Sequence, residues 1–170
     1  GLAVCTLIVT PYRLFPRTDR RSWGWVLQLY SVRSRSSWGT GDLADLADLA
    51  AWSGHELGAG FVLVNPLHAA ETAGRMEPSP YLPASRRFGN PLYLRAEAVD
   101  EFAELKGEQR RRVRTLAERA RKLNTDAEAL DRDRSWALKR EALELMFGVP
   151  RSIGRAAEYA AFKVREGQGL

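Results

Sequence analysis

The residues best suited to binding chemistry lie in one segment, 60–94. An apolar, β-branched run at 61–64 ends at Asn65 and Pro66, and His68 follows at once. The segment then carries prolines, serines, arginines and a tyrosine in place of any hydrophobic period, which is typical of a long loop rooted in a strand. Such a loop presents its side chains to solvent from fixed ends, so we expect a binding site here.

Tyr81 is the most distinctive residue of this loop because it lies between Pro80 and Pro83. Proline presets φ and reduces the entropy lost on ordering, so the two prolines can hold the ring as a rigid platform. A tyrosine ring offers an apolar face and a polar tip, which suits the C–H faces and hydroxyl edges of a sugar. Arg86 and Asn90 supply planar hydrogen-bond donors nearby. The alternative is a structural Ω-type loop packed on itself.

Other kinds of site find little support. A lone histidine such as His68 is more often hydrogen-bonded structure than catalyst, although its place just past a strand end keeps a functional role open. One cysteine and two histidines exclude a disulfide within the chain and a Cys/His structural metal site. Neither GTGD nor GAGF lies in the context of a nucleotide-binding loop. We therefore expect no metal and no cofactor.

Two strands and a helix must position the loop. Residues 23–30 and 61–64 are predicted to be strands. The continuous apolar character of the first predicts burial on both faces, and the second is predicted to be a buried strand. Asp42 is predicted to cap the intervening helix with Asp45 at its third position, and the helix is predicted to end near Gly54. A strand, helix and strand in this order predict parallel pairing, which places ligands at the carboxyl ends of the strands.

The aspartates of the repeat DLADLADLA invite interpretation as a carboxylate cluster for metal or acid–base chemistry. Residues three apart drift sideways around a helix, so a clean set of ligands is disfavoured. We interpret Asp42, Asp45 and Asp48 instead as a helix cap and a solvated face.

The second half of the chain is predicted to be helical. Asp100 is expected to cap a short first turn, and Ser152 a last helix that extends to about Glu166. Residues 124–134 are predicted to be a polar connector, followed by a helix at 135–147. The predicted packing faces are Val113, Leu116, Ala117, Ala120 and Leu123 on one helix, and Ile153, Ala156, Ala160 and Val164 on the last.

Composition sets the broad class. A chain of 170 residues with 45% apolar and 28% charged residues is ordinary globular protein. The net charge is +5, and the basic residues are concentrated at 110–122. Such a cluster could serve a nucleic-acid-binding module. The absence of aromatic residues there favours a solvated helix face instead. No stretch is long enough for a membrane span, and the start is a poor signal peptide, so a cytoplasmic setting is the default expectation.

The loop resembles, in three places and in the same order, the 4-α-glucanotransferases of glycoside hydrolase family 77: at 65–69 (NPLHA), 79–88 (SPYLPASRRF) and 90–93 (NPLY). This family includes the amylomaltases and the bacterial disproportionating enzymes. The first strand region is similar to the family's first barrel strand with its following loop and helix, at 27–31 (LQLYS), 33–34 (RS), 37–39 (SWG) and 41–43 (GDL).

The resemblance implies an α/β fold, part of a (β/α)8 TIM barrel with an α-helical subdomain. Residues 1–22 are then the end of an N-terminal β-rich extension, including a strand at 4–10, plus a linker. Residues 23–100 are the first βαβ units with substrate loop 65–91, and residues 101–170 are the helical subdomain. We expect the chain to be part of a longer protein. Because two or three parallel strands cannot close a barrel, their edges and one face should stay open.

The activity implied is transfer of α-1,4-glucan segments between maltooligosaccharides, with retention through two carboxylates about 5 Å apart. The family's nucleophile lies in an Arg-x-Asp-His motif, which this sequence lacks, so no catalytic residue is expected here. By analogy, Tyr81 lines the sugar site beside the cleaved bond and Ser79 contacts the acceptor side. Proximity alone adds four further substrate-binding candidates, Asn65, His68, Arg86 and Asn90. An α-glucan hydrolase and a nucleic-acid-binding module remain alternatives, and the oligomeric state is open.

Overall fold

The computed structural model describes residues 9–13, 21–125 and 129–167. Its strands are β1 (Gly24–Leu27), β2 (Phe61–Val64), β3 (His68–Ala69) and β4 (Ser85–Gly89). Its helices are α1 (Leu43–Leu57), α2 (Glu101–Glu104), α3 (Gly107–Arg121), α4 (Arg132–Phe147) and α5 (Ile153–Glu166). The strand predicted at 4–10 falls mostly outside the described residues, and the part that is described has no regular structure.

The predicted unit of strand, helix and strand is confirmed, because β1 and β2 pair in parallel with α1 between them. Gly24 lies opposite Phe61 in this pairing, and a Cβ at Gly24 would be only 2.2 Å from the Phe61 carbonyl oxygen. The close approach of the two strands therefore requires glycine at this position. The first strand is shorter than predicted, since the chain turns into a 3-10 helix at Leu29–Ser31.

The prediction that β1 is buried on both faces and that β2 is a buried strand is wrong for this chain. Val26 is 74% exposed and Leu63 is 57% exposed. Within the described residues, the β1–β2 sheet has only two strands, so no further strand covers its edges. The expectation of open edges and an open face is thereby confirmed.

The capping box predicted for α1 is confirmed. Asp42 Oδ1 accepts hydrogen bonds from the backbone N–H groups of Ala44 (2.9 Å) and Asp45 (3.1 Å), and Asp45 Oδ2 accepts one from Asp42 N–H (3.1 Å). The helix continues past the predicted end at Gly54 to Leu57, and Gly58 closes it with a φ of 68°. This left-handed conformation is one that glycine adopts without strain.

The solvated face predicted for these aspartates is wrong at two positions, because Asp42 and Asp45 are buried. Arg95 compensates their charge. Its Nε donates to Asp42 Oδ2 at 3.0 Å, and its Nη2 lies 3.0 Å from Asp42 Oδ1 and 2.7 Å from Asp45 Oδ1. Asp48 is exposed as predicted. The cap of α1 is thus also the centre of a buried ion cluster, Asp42–Asp45–Arg95.

The main core lies between α3, α4 and the loop before α1. Four residues of the predicted α3 face are buried, which confirms that face: Val113, Leu116, Ala117 and Ala120. Trp38, from the loop before α1, is fully buried in the same cluster, and its indole N–H donates to Glu97 at 2.8 Å. The segment up to residue 100 and the helices after it therefore share one core.

Three helix predictions need correction. Asp100 has a helical backbone conformation and makes no side-chain cap. α4 begins at Arg132 rather than at 135, because Asp131 caps it through Arg134 N–H (2.9 Å). Ser152 caps α5 as predicted, but the predicted packing face is wrong, since Ile153 is 92% exposed. No helix among the described residues is long and apolar enough to cross a membrane.

Candidate functional site

Asn65, at the carboxyl end of β2, joins three elements. Its Oδ1 accepts a hydrogen bond from Leu29 N–H (2.7 Å), and its Nδ2 donates to the Pro66 carbonyl (2.8 Å) and the Tyr93 hydroxyl (3.0 Å). The side chain is buried, and both of its polar atoms have protein partners. Asn65 therefore ties the end of β1 and the Pro91–Tyr93 turn to β2, where it supports the loop from beneath.

The predicted loop 65–91 contains a short antiparallel ribbon that the sequence did not indicate. β3 pairs with β4, with His68 opposite Gly89 and Ala69 opposite Ser85, and the register is irregular between the two pairs. Two further backbone hydrogen bonds extend the ribbon, Ala84 N–H to the Ala69 carbonyl (2.9 Å) and Asn90 N–H to the Leu67 carbonyl (2.9 Å). Residues 70–84 form the tip that this ribbon carries.

Local hydrogen bonds shape the tip around Tyr81. Glu77 Oε1 accepts from Ser79 N–H at 3.0 Å, and Ser79 Oγ accepts from Tyr81 N–H at 3.4 Å. The Tyr81 side chain is 61% exposed. Its ring is thus available to a ligand on a backbone held by neighbouring side chains and by prolines.

The six predicted site residues do not all converge. A cleft of about 20 Å³ brings together His68, Ser79 and Asn90, with Tyr30 and Arg132 also in its lining. Tyr81 and Arg86 are exposed and lie outside this lining, and Asn65 is buried and also lies outside it. Asn90 Oδ1 also accepts from Leu92 N–H (2.9 Å), which caps the Pro91–Tyr93 turn.

Sequence reasoning missed the contribution of α4 to this site. The Arg132 guanidinium lies over the Tyr30 ring at 4.6 Å from its centroid. Asp133 Oδ1 accepts from Met76 N–H at 2.7 Å, and the Trp136 indole N–H donates to the Thr72 carbonyl at 3.3 Å. The sequence pattern predicts only a polar connector followed by a packing helix at the start of α4. Its contacts with the loop span more than fifty residues, and no local pattern signals them.

Two buried groups, Asp45 on α1 and Tyr93 in the turn after the loop, have shifted pKa values. Burial alone would raise the pKa of Asp45, but hydrogen bonds from Ser34, Ser37 and Arg95 lower it below its ordinary value. Burial raises the pKa of Tyr93, against the opposing effect of its hydrogen bond with Asn65, so this phenol is neutral at physiological pH.

Lys139 is the most unusual of the buried groups. It is fully buried on α4, and its ammonium donates to the Leu92 carbonyl. Burial lowers the pKa of Lys139 to about 8, while the charge of Asp42 acts in the opposite direction. Among residues 9–13, 21–125 and 129–167, no cluster of three or more His, Cys, Asp or Glu side chains could hold a metal ion.

Comparisons with known proteins agree with the resemblance seen in the sequence. The family model described as 4-alpha-glucanotransferase matches residues 27–170. The chain is similar to the 4-alpha-glucanotransferase of Mycobacterium tuberculosis, with 57% identity over 157 residues that cover 89% of this chain and 21% of that protein. The Haemophilus influenzae 4-alpha-glucanotransferase is 35% identical over 144 residues, which cover 83% of this chain and 20% of the relative.

The structure is similar to the crystal structure of amylomaltase from Corynebacterium glutamicum. The TM-score is 0.79 at 43% sequence identity, over 88% of this chain and 21% of that one. The chain thus spans about a fifth of the length of the relatives it matches. A match of the family model over most of the chain shows that it belongs to the 4-alpha-glucanotransferase family.

Proposed function

We propose that the chain is the first portion of the (β/α)8 barrel of a 4-α-glucanotransferase and carries part of its glucan-binding rim. The complete enzyme would transfer α-1,4-glucan segments between maltooligosaccharides with retention of configuration. The observation that carries this proposal is the family match over residues 27–170, which includes the whole of loop 65–91.

The parallel pair β1–β2 with its crossover helix supports the barrel part of the proposal. In a complete barrel, interior side chains of the other strands cover the inner face of each strand and helices cover the outer face, which accounts for apolar strands that are exposed here. Residues 23–100 would supply the first βαβ units and residues 101–170 a helical subdomain packed on them. Residues 1–22 would be the end of a preceding β-rich extension and a linker.

The rim contacts follow from the position of each side chain. Tyr81 would stack against a sugar ring beside the cleaved bond, and Ser79 would contact the acceptor side. His68 and Asn90 would border the cleft, and Arg86 would donate from β4. We assign Asn65 a supporting role instead, because its amide is fully engaged with Leu29, Pro66 and Tyr93.

The chemistry requires a nucleophilic carboxylate and an acid–base carboxylate about 5 Å apart. We propose that neither comes from this chain, which lacks the Arg-x-Asp-His motif. Asp131 and Asp133 instead cap α4 and hold Met76. The chain's own contribution is to bind and orient the glucan.

The chain alone is therefore expected to show no transfer when it is incubated with maltotriose. Chromatography of the products should detect neither glucose nor longer maltodextrins above the level of a blank. The intact protein, assayed in parallel, should produce both. Sustained disproportionation by the isolated chain would place catalytic groups within it and contradict the proposal.

In the intact protein, Tyr81→Ala is expected to lower kcat/KM for maltotriose by about tenfold, which corresponds to about 1.4 kcal/mol of lost binding in the transition state. The alanine removes the ring on which the sugar would stack, whereas Tyr81→Phe keeps it and should stay within about threefold of wild type. Tyr12→Ala removes another exposed tyrosine, one outside loop 65–91, and serves as the matched control. An unaffected Tyr81→Ala variant would remove Tyr81 from the site.

The alternatives are less well supported. A glucan hydrolase differs only in whether water or a sugar accepts the glycosyl unit, and the maltotriose assay separates the two. For nucleic-acid binding, α3 would need free arginines, yet Arg112 pairs with Glu141 at 2.6 Å and Arg121 with Glu97 at 2.7 Å. We therefore propose an α-glucan as the partner, and a cytoplasmic setting for the enzyme.

A further inference from the structure

The β3–β4 ribbon is too small to hold the rim loop by itself. β3 has two residues, and the two paired positions are separated by an irregularity in register. An isolated two-stranded ribbon is marginally stable at best, even when it is longer than this one. The position of residues 70–84, and with them Tyr81, therefore depends on contacts from outside the ribbon. α4 holds Thr72 and Met76 on one side of the tip, and the contacts of β4 fix the side that follows Tyr81.

The end of α5 holds β4 through an ion pair and an aromatic contact. Arg87 Nε donates to Glu166 Oε2 at 2.6 Å, and Arg87 Nη2 donates to the Arg165 carbonyl at 3.4 Å. One residue further along β4, the Phe88 ring meets the Phe162 ring edge-on, with centroids 6.4 Å apart. The Glu166 side chain is only 14% exposed and also accepts from Arg165 Nε at 2.7 Å, so its carboxylate is held in a defined orientation.

α5 itself packs only loosely against the rest of the protein. None of its residues is buried, and a cavity of about 540 Å³ separates it from α4 and the 94–101 segment. Its first half is held by Arg155, which donates to Glu101 at 2.9 Å, and by Tyr159, whose ring lies 6.0 Å from that of Phe147. The helix therefore bridges α2 and α4 at one end and β4 at the other.

We propose that α5 holds loop 65–91 in place through β4, and that Arg87 and Glu166 are positioning residues for glucan binding. The inference rests on the proposed function, because it assigns these residues a purpose only if Tyr81 and Arg86 contact sugar. Arg87 follows Arg86 in β4, and β4 begins just after the segment 79–83 that carries Tyr81. Loss of the ion pair would let this segment move, which weakens the binding of glucan without removing any group that contacts it.

The test is a charge reversal in the intact protein, with maltotriose as substrate. Arg87→Glu and Glu166→Arg, made singly, should each raise KM by about fivefold and leave kcat within about twofold, the size expected for a partly exposed ion pair replaced by a like-charge contact. The double variant restores opposite charges and should return KM to within about twofold of wild type.

The pair Arg112–Glu141 provides the matched control, since it is a partly exposed ion pair between α3 and α4 that involves neither α5 nor β4. Its reversal should shift the melting temperature as much as the Arg87 and Glu166 variants do, with KM unchanged. A KM that is unaffected by either single reversal, or not restored in the double variant, would overturn the role of the ion pair while wild-type transfer still supports the proposed function. Absence of transfer by the wild type would instead overturn the proposed function itself.

Discussion

Arg95→Met is expected to lower the free energy of unfolding of the intact protein by about 3–5 kcal/mol, the range typical of a buried ion pair that loses one partner. The Arg95 side chain is 13% exposed, and it faces the carboxylates of Asp42 and Asp45, which are 0% and 2% exposed. Methionine fills a similar volume but removes the guanidinium that pairs with both carboxylates, so two negative charges lie side by side without their ion-pair partner. Urea denaturation followed by tryptophan fluorescence measures the change.

Arg112→Met is the control for this substitution. Arg112 also forms a close ion pair, with Glu141, but the two side chains are 48% and 41% exposed, so its loss should cost at most about 1 kcal/mol. Adding Asp45→Asn to Arg95→Met removes one of the unpaired charges and should recover part of the lost stability. A cost for Arg95→Met no larger than that for Arg112→Met would show that the cluster contributes no more than a surface pair.

Lys139 should make the protein more stable as pH rises from 8 to 10.5. Burial lowers its pKa from an ordinary value of 10.5 to about 8, in surroundings that include Asp42, Asp45, Arg95 and Glu97. Below pH 8 both the folded and the unfolded chain carry the proton. Between pH 8 and 10.5 only the unfolded chain does, so unfolding takes up a proton and a rise in pH favours the folded state.

The free energy of unfolding of the wild type minus that of Lys139→Met is expected to rise by about 3 kcal/mol between pH 8 and 10.5. The comparison cancels the titration of tyrosines and of other lysines. Lys122→Met, a substitution at an exposed position, should differ from wild type by a constant amount across the same range. A constant difference for Lys139→Met as well would mean that Lys139 keeps an ordinary proton affinity when the protein is folded.

The features that could be predicted from the sequence are those encoded by neighbouring residues. The α1 capping box depends on Asp42 and Asp45, three positions apart, and the order of strand, helix and strand fixed parallel pairing. The exposed position of Tyr81 likewise follows from its flanking prolines and polar neighbours. In each case, the local physics of a turn or a helix end decides the structure.

The features that could not be predicted depend on contacts across the chain. The solvated face assigned to Asp42 and Asp45 failed because Arg95, some fifty residues later, draws both carboxylates into the core. The role of Asn65 depends on Tyr93, and the cleft depends on Arg132 from a helix start that resembles any polar connector. The predicted strand burial failed for a different reason: under the proposed barrel, the apolar pattern of β1 and β2 reflects neighbours that this chain does not supply.

The loop before α1 is held in place by residues that are synthesised much later. Ser135 Oγ donates to the Trp38 carbonyl across 97 residues, and Gly39 N–H donates to Asn124 Oδ1 across 85. At about 5–20 residues per second, a ribosome needs roughly 5–20 s to add the residues that separate Trp38 from Ser135. Until α4 is made, the core around Trp38 lacks Leu138, Ala142 and Met146. The nascent chain is therefore expected to present apolar surface of the kind that chaperones recognise.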